Sequence, residues 1–128
     1  MMNYFLVAVG GALGSMARFW CSGFVARQFG EWFPWGTLIV NVLGSFVIGA
    51  FAALSATEGP FLIRPELRVF VMVGLCGGYT TFSSFSLQTL TLWLEGEWLW
   101  AGANCVFSFV FCLLAVWLGY VSVAAAFR

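Results

Sequence analysis

Three polar residues, Thr37, Asn41 and Ser45, lie within a long apolar stretch and recur at every fourth position. This spacing places them on one face of a helix, where the Asn41 amide offers two N–H donors. Polar side chains inside a membrane span are costly and usually face protein or water. The stripe is therefore typical of either a hydrogen bond to a neighbouring helix or a binding surface for a ligand that accepts hydrogen bonds.

Arg18 places a permanent positive charge late in the first apolar stretch. Such a cation needs water or a partner, so it either extends to the membrane surface or attracts anions in a water-filled vestibule. Gly10 and Gly14 lie on the same stretch, four residues apart. This spacing of small residues favours the close approach of a second helix.

The segment 74–86 reads GLCGGYTTFSSFS and combines several features that disfavour a continuous helix. The pair Gly77 and Gly78 is costly inside a helix, and the β-branched pair Thr80 and Thr81 follows it. Lipid tolerates non-helical backbone only where protein buries it or where it lines a cavity. We therefore predict a break in this span, with a simple glycine kink as the alternative. Carbonyls released at such a break could bind a cation, and without a nearby carboxylate a monovalent ion is favoured.

Two further sets of residues share a helical face. Phe82 and Phe85 are three positions apart, and the electropositive edges of their rings can stabilise an anion weakly. Asn104, Ser108 and Cys112 form a polar stripe in the last stretch, which fits helix packing as well as it fits a pore lining. All these groups together supply hydrogen-bond donors and no carboxylate, whereas cation pathways typically use acidic rings or carbonyl filters. The residues therefore favour a small anion.

The composition of the 128-residue chain is that of a membrane protein: 62% of its residues are hydrophobic, 8% are charged, and the mean hydropathy is +1.00. No soluble fold of this size could bury so much apolar surface. The chain contains no His, Asp or Lys, which excludes a Ser-His-Asp hydrolase, a His-ligated metal site and a Lys Schiff base. Its net charge of zero gives no footprint for nucleic acid. We therefore expect no enzymatic activity.

Four apolar stretches are each long enough to cross a bilayer as a helix, which takes about 20 residues. The first, 3–26, has no basic region before it, so we interpret it as a retained span rather than a cleaved signal peptide. The other three carry no charge and cover 32–57, 69–94 and 98–127. Short connections are predicted at 28–34, 58–66 and 95–97. The sequence thus predicts an all-α membrane protein, a single four-span domain over residues 1–128 in which the third helix is broken.

The arginines outside the spans specify the orientation of the chain only weakly. With an even number of spans both termini share one side, and that side carries Arg64, Arg68 and Arg128. The opposite side carries Arg27, and also Arg18 if its side chain extends outward. A bias of three arginines against one or two is small for the positive-inside rule. The sequence is therefore compatible with insertion in both orientations as well as with one fixed orientation.

Three motifs resemble those of the Fluc/CrcB family of microbial fluoride channels: GGALGSMARF at 10–19, GTLIVNVLGSF at 36–46 and GLCGGYTTFSSFS at 74–86. Together with the length and the four-span layout, the resemblance covers essentially the whole chain. It implies a passive, fluoride-selective channel that lowers cytoplasmic fluoride by exporting it across the bacterial inner membrane. It also implies an antiparallel, dual-topology homodimer in membrane lipid, with two fluoride pores lined by both subunits.

The resemblance further implies roles for individual residues. Arg18 would lie in the vestibule that leads to the pore. The backbone carbonyls of Gly77 and Thr80 would hold a structural Na⁺ between the two copies. The residues that would line the pore are Asn41, Phe82, Phe85, Thr37, Ser83 and Ser108.

Three positions depart from the pattern of the family: Gln88 stands where many relatives carry Glu, Asn104 where some carry Tyr, and Cys112 where Ser occurs. Two other functions remain open at this point. A small dual-topology exporter of cationic drugs would need an acidic residue within the membrane, whereas every Glu here lies outside the spans or at their ends. A non-transporting assembly subunit would need neither the aligned hydroxyls nor the broken span.

Overall fold

The structure, a computed structural model, describes residues 1–56 and 61–127, and within these ranges every regular element is helical. Four segments are long and apolar enough to cross a membrane. They are Met2–Phe29, Trp35–Leu54, Pro65–Leu94 and Trp98–Ala126. The prediction of an all-α protein with four membrane spans is therefore confirmed.

The third of these segments is not one helix but a series of helical pieces. In chain order the elements are α1 (Met2–Phe29), α2 (Trp35–Leu54), α3 (Pro65–Arg68), a π-helix (Val69–Cys76), α4 (Gly77–Tyr79), α5 (Phe82–Leu94) and α6 (Trp98–Ala126). The third span thus runs from α3 to α5. Its π-helix is unusual in length, because π-helices mostly occur as single-turn bulges, and these are frequent at functional sites.

The ends of the helices follow from glycine and proline. Gly30 and Gly96 have backbone φ angles of 83° and 79°, a left-handed conformation that other residues rarely adopt. They end α1 and form the turn before α6, while Pro65 occupies the first turn of α3. The predicted turn at 95–97 is thus confirmed. The connection predicted at 58–66 begins with Glu58 and Pro60, which lie outside the described residues, as does Arg128.

Close backbone contacts join α1 to the third span. A Cβ atom on Gly10 would lie 2.8 Å from the carbonyl oxygen of Phe70, and one on Gly14 would collide with the carbonyl of Leu75. The predicted close approach at these two glycines is therefore confirmed. The second and fourth spans meet in the same way, because a Cβ on Gly49 would collide with the backbone of α6.

The third span breaks at Thr80 and Thr81, which both have extended backbone. Their φ and ψ angles are −86° and 160° for Thr80, and −152° and 119° for Thr81. The prediction of a break is therefore confirmed, but its expected start at Gly77 and Gly78 is wrong, because both glycines stay in α4. Gly78 serves packing instead: a Cβ there would lie 2.6 Å from the carbonyl oxygen of Gly11 in α1. The two β-branched residues take the extended conformation that suits them.

Candidate functional site

The side chain of Asn41 pairs with the backbone at the break. Its Nδ2 donates to the carbonyl oxygen of Thr81 at 2.9 Å, and its Oδ1 accepts from the Thr81 N–H at 2.8 Å. In a continuous helix both groups of Thr81 would bond within the span. The side-chain amide of Asn41 therefore supplies hydrogen-bond partners for the N–H and C=O groups of Thr81 in place of other residues of the third span.

Other side chains satisfy further backbone groups at the break. Thr80 Oγ1 donates to the carbonyl of Cys76 at 2.8 Å, and Thr81 Oγ1 accepts from the Ser84 N–H at 3.1 Å, so that Thr81 caps α5. Arg18 Nε donates to the carbonyl of Gly78 at 3.2 Å. The structure thus turns the cation of α1 toward the break rather than only toward the membrane surface.

The pairing of Asn41 with Thr81 also removes the helical hydrogen-bond partner of the Gly77 carbonyl. In an α-helix this oxygen would accept the N–H of Thr81, four residues on, but that N–H goes to Asn41. The Gly77 carbonyl has therefore lost its helical partner. Within the described residues, no group of three or more acidic, cysteine or histidine side chains could hold a metal. Any cation at the break would therefore rely on main-chain or hydroxyl oxygens.

A cavity of about 350 Å³, here called the inner cavity, lies beside the break. It brings together most of the predicted pore residues and both predicted cation-binding residues, namely Asn41, Phe82, Phe85, Ser108, Gly77 and Thr80. The rings of the two phenylalanines have centroids 5.3 Å apart. Phe85 is only 8% exposed, whereas Phe82 is 71% exposed. The described residues that line the inner cavity supply an amide, hydroxyls and aromatic rings and no carboxylate.

A second cavity of about 550 Å³, here called the outer vestibule, lies on the other side of Thr81. Arg18 and Thr37 line it, whereas Ser83 lines neither cavity and instead places its Oγ 3.3 Å from Thr81 Oγ1. Thr81 lines both cavities and so separates them. The predicted pore residues thus fall into two groups, with Thr37 on the vestibule side of Thr81.

The outer vestibule also contains carboxylates, because Glu31 and Glu95 line it together with Arg18. Both fit the expectation that the glutamates lie outside the spans or at their ends. Both glutamates are exposed and belong to the loops at the ends of the spans, so the helical pattern gave no sign that they would face the same opening. Gln88 also lines the vestibule, and its buried Oε1 has no hydrogen-bond partner among the described residues.

The arrangement can be compared with known proteins. Residues 5–120 match the family described as CrcB-like protein, Camphor Resistance (CrcB). This chain belongs to the CrcB family. Three relatives carry the name Fluoride-specific ion channel FluC. The one from Rhodospirillum rubrum is 62% identical over 120 residues, which is 94% of this chain and 93% of the relative. The one from Methylocella silvestris is 58% identical over 97% of this chain and 95% of the relative. The one from Opitutus terrae is 59% identical over 95% of this chain and 92% of the relative.

Two residues of this CrcB protein have roles at the break that the sequence analysis did not assign. Thr81 pairs with Asn41 and caps α5; a threonine directly before a helical segment was an available capping signal. Gly44 lies against the break from α2, since a Cβ there would collide with the methyl group of Thr80. Gly44 follows Asn41 by three positions, so the two share a helical face.

The pairing of Asn41 with Thr81 can be tested by Asn41→Asp. The carboxylate still accepts from the Thr81 N–H, but it sets a second oxygen against the Thr81 carbonyl and leaves that acceptor without a donor. A fully buried acceptor without a partner costs about 1–3 kcal/mol; the Thr81 carbonyl is part-buried, so we expect a loss toward the lower end of this range, seen as a lower midpoint of thermal unfolding in detergent. The matched control is Ser45→Ala, which removes a polar group from the next turn of the same face without affecting Thr81. Equal stability of the two variants would contradict the pairing.

Proposed function

We propose that this CrcB protein is a passive channel selective for fluoride. The observation that carries the proposal is the inner cavity, where hydrogen-bond donors meet the rings of Phe82 and Phe85 beside broken backbone and none of the described lining residues is a carboxylate. Such a lining favours an anion in transit over a cation. The name of the three relatives supports fluoride as that anion.

The chemistry of fluoride suits these donors. Fluoride is small and strongly hydrated, so only close and convergent hydrogen bonds can replace its water. Asn41 has two amide hydrogens, of which one goes to Thr81 and the other remains for a ligand. Ser108 adds a hydroxyl in the same cavity, and Arg18 supplies a permanent positive charge in the vestibule. A larger anion such as chloride would meet the same donors at less favourable distances.

Passive conduction is favoured over coupled export or catalysis. Proton coupling in membrane transporters relies on acidic or histidine side chains inside the membrane. The described glutamates of this chain lie at the ends of the spans or between them, at Glu31, Glu66, Glu95 and Glu97. The same absence of a membrane-embedded acid disfavours the exporter of cationic drugs. We further propose that the channel lies in the bacterial inner membrane, into which its four apolar helices would insert.

Anion efflux from liposomes that hold the purified protein tests the channel function. We expect rapid fluoride efflux and little chloride efflux. Phe82→Ile and Phe85→Ile should each lower fluoride efflux by about tenfold or more, because isoleucine keeps the bulk but lacks a polarised ring edge. The control is Phe111→Ile in the apolar groove between α2 and α6, away from the inner cavity, which should conduct normally. Equal fluoride and chloride efflux would refute the proposal.

We also propose that two copies assemble in antiparallel orientation. The support is twofold: the ring of Phe82 is 71% exposed beside a cavity that one chain leaves open, and the weak arginine bias allows insertion both ways. A second copy would cover this ring and complete the wall of the pore. The same motifs then serve both halves, so no different partner chain is needed.

Labelling of a tag at the C-terminus tests the orientation. In an antiparallel dimer, half of the tags face each side of the membrane, so a reagent that cannot cross the bilayer should label about half of them from outside. Permeabilised cells give the total for comparison. Labelling from one side only would show a single orientation and rule out the antiparallel dimer.

A structural Na⁺ at the break completes the proposal. The Gly77 carbonyl has lost its helical partner, Thr80 is extended, and both residues line the inner cavity. Main-chain oxygens are hard ligands, and without acidic side chains they suit a monovalent cation. In an antiparallel dimer two carbonyls from each copy would supply four ligands near the two-fold axis. The ion would stay in place and leave the flanking pores to fluoride.

Exhaustive replacement of Na⁺ by a large organic cation should then abolish fluoride efflux. Thr80→Ser, which keeps the backbone, should have a mild effect. Gly77→Val should impair dimer assembly by crowding the site between the copies, because a Cβ at Gly77 meets no atom of its own chain closer than 3.9 Å. Full efflux without Na⁺, together with a functional Gly77→Val dimer, would leave the break as a packing feature only.

A further inference from the structure

A chain of side-chain hydrogen bonds runs behind the wall of the inner cavity. Ser108 Oγ donates to Asn104 Oδ1 at 3.5 Å, Asn104 Nδ2 donates to Thr89 Oγ1 at 2.9 Å, and Thr89 Oγ1 donates to the carbonyl of Phe85 at 2.8 Å. Asn104 is 2% exposed. The two ends of the chain, Ser108 and Phe85, line the inner cavity, whereas Asn104 and Thr89 do not.

The direction of every bond in this chain follows from its last acceptor. The carbonyl of Phe85 has no hydrogen to offer, so the one hydroxyl hydrogen of Thr89 goes to it, and only lone pairs of Thr89 face Asn104. The Asn104 amide must then turn its NH₂ group toward Thr89 and its oxygen toward Ser108. Ser108 consequently directs its hydrogen at Asn104 and its lone pairs toward the inner cavity.

We propose that Thr89 and Asn104 are positioning residues that make Ser108 selective among anions, an inference that rests on the proposed channel function. In this arrangement of hydrogen bonds, Ser108 offers an anion no hydrogen until its hydroxyl turns away from Asn104. That contact, at 3.5 Å, is longer than the usual O–H···O hydrogen bond of about 2.5–3.0 Å and is the weakest of the series. Fluoride, which concentrates its charge in a small volume, forms a charge-assisted hydrogen bond strong enough to take the hydrogen. Chloride gains less and leaves the hydroxyl with Asn104.

The inference is tested by comparing Thr89→Val with Thr89→Ser in the liposome assay, with fluoride and chloride efflux measured separately. Valine keeps the shape of threonine but removes the acceptor, so the Asn104 amide can turn its NH₂ group to Ser108. Ser108 then directs its hydrogen into the cavity whether or not fluoride is present. We expect the ratio of chloride to fluoride efflux to rise about tenfold in Thr89→Val, a factor that corresponds to about 1.4 kcal/mol. Thr89→Ser, which keeps the hydroxyl, should retain the native ratio.

A second pair of variants separates positioning from a general structural role. If Thr89 acts through Ser108, then adding Thr89→Val to Ser108→Ala should leave the chloride-to-fluoride ratio of Ser108→Ala unchanged. Should Thr89→Val fail to fold, Asn104→Leu takes its place, because leucine has a similar volume and no acceptor for Ser108, and the same rise in the ratio is expected.

Several outcomes would overturn the inference while leaving the channel function intact. One is a native chloride-to-fluoride ratio in Thr89→Val, or in the Asn104→Leu variant that replaces it, including the case in which both effluxes fall in proportion. Another is an equal rise of this ratio in Thr89→Ser. A third is a rise of the ratio that persists when Thr89→Val is added to Ser108→Ala. A native protein that releases no fluoride would instead refute the channel function, and the inference would fall with it.

Discussion

Every backbone N–H and C=O group inside a bilayer needs a hydrogen-bond partner that the protein supplies. A continuous helix meets this requirement by itself, but at the break the Thr81 N–H no longer bonds to the Gly77 carbonyl, whereas the Thr80 N–H keeps its bond to the Cys76 carbonyl. Asn41 takes over both groups of Thr81, and Arg18 contacts the carbonyl of Gly78. One polar side chain from each of the first two spans thus forms hydrogen bonds with the backbone of the third span. The space that opens around this non-helical backbone is divided by Thr81 into the inner cavity and the outer vestibule.

Much of the fold could be predicted from the sequence, because lipid restricts the choice of structure so strongly. Apolar stretches of sufficient length become helices, and charged residues mark their ends. Helical periodicity also placed Asn41 and the two phenylalanines Phe82 and Phe85 on faces that meet at one cavity. The same rule linked Gly10 and Gly14 as a packing surface. Each of these predictions needed only the repeat of a single helix.

The features that the sequence did not reveal depend on contacts between distant parts of the chain. The glycine pair suggested a break at Gly77 and Gly78 on the basis of helix propensity alone, but Gly78 is needed where it touches the backbone of α1. Asn41 and Thr81 are 40 residues apart, and the sequence around either residue does not predict a contact with the other. The glutamates of the vestibule lie in loops, where periodicity gives no direction. Tertiary contacts decided all three cases.

The two sides of the break also pack against different helices. Upstream, the π-helix and α4 lie so tightly against α1 that a single methyl group at Gly10 or Gly14 would not fit. Downstream, α5 is fastened to α6 by the bond between Thr89 and Asn104. The two extended residues at the break join these two packed pieces, and Asn41 of α2 holds the second of them through two hydrogen bonds. The wall between the inner cavity and the outer vestibule therefore lies where a piece held by α1 meets a piece held by α6.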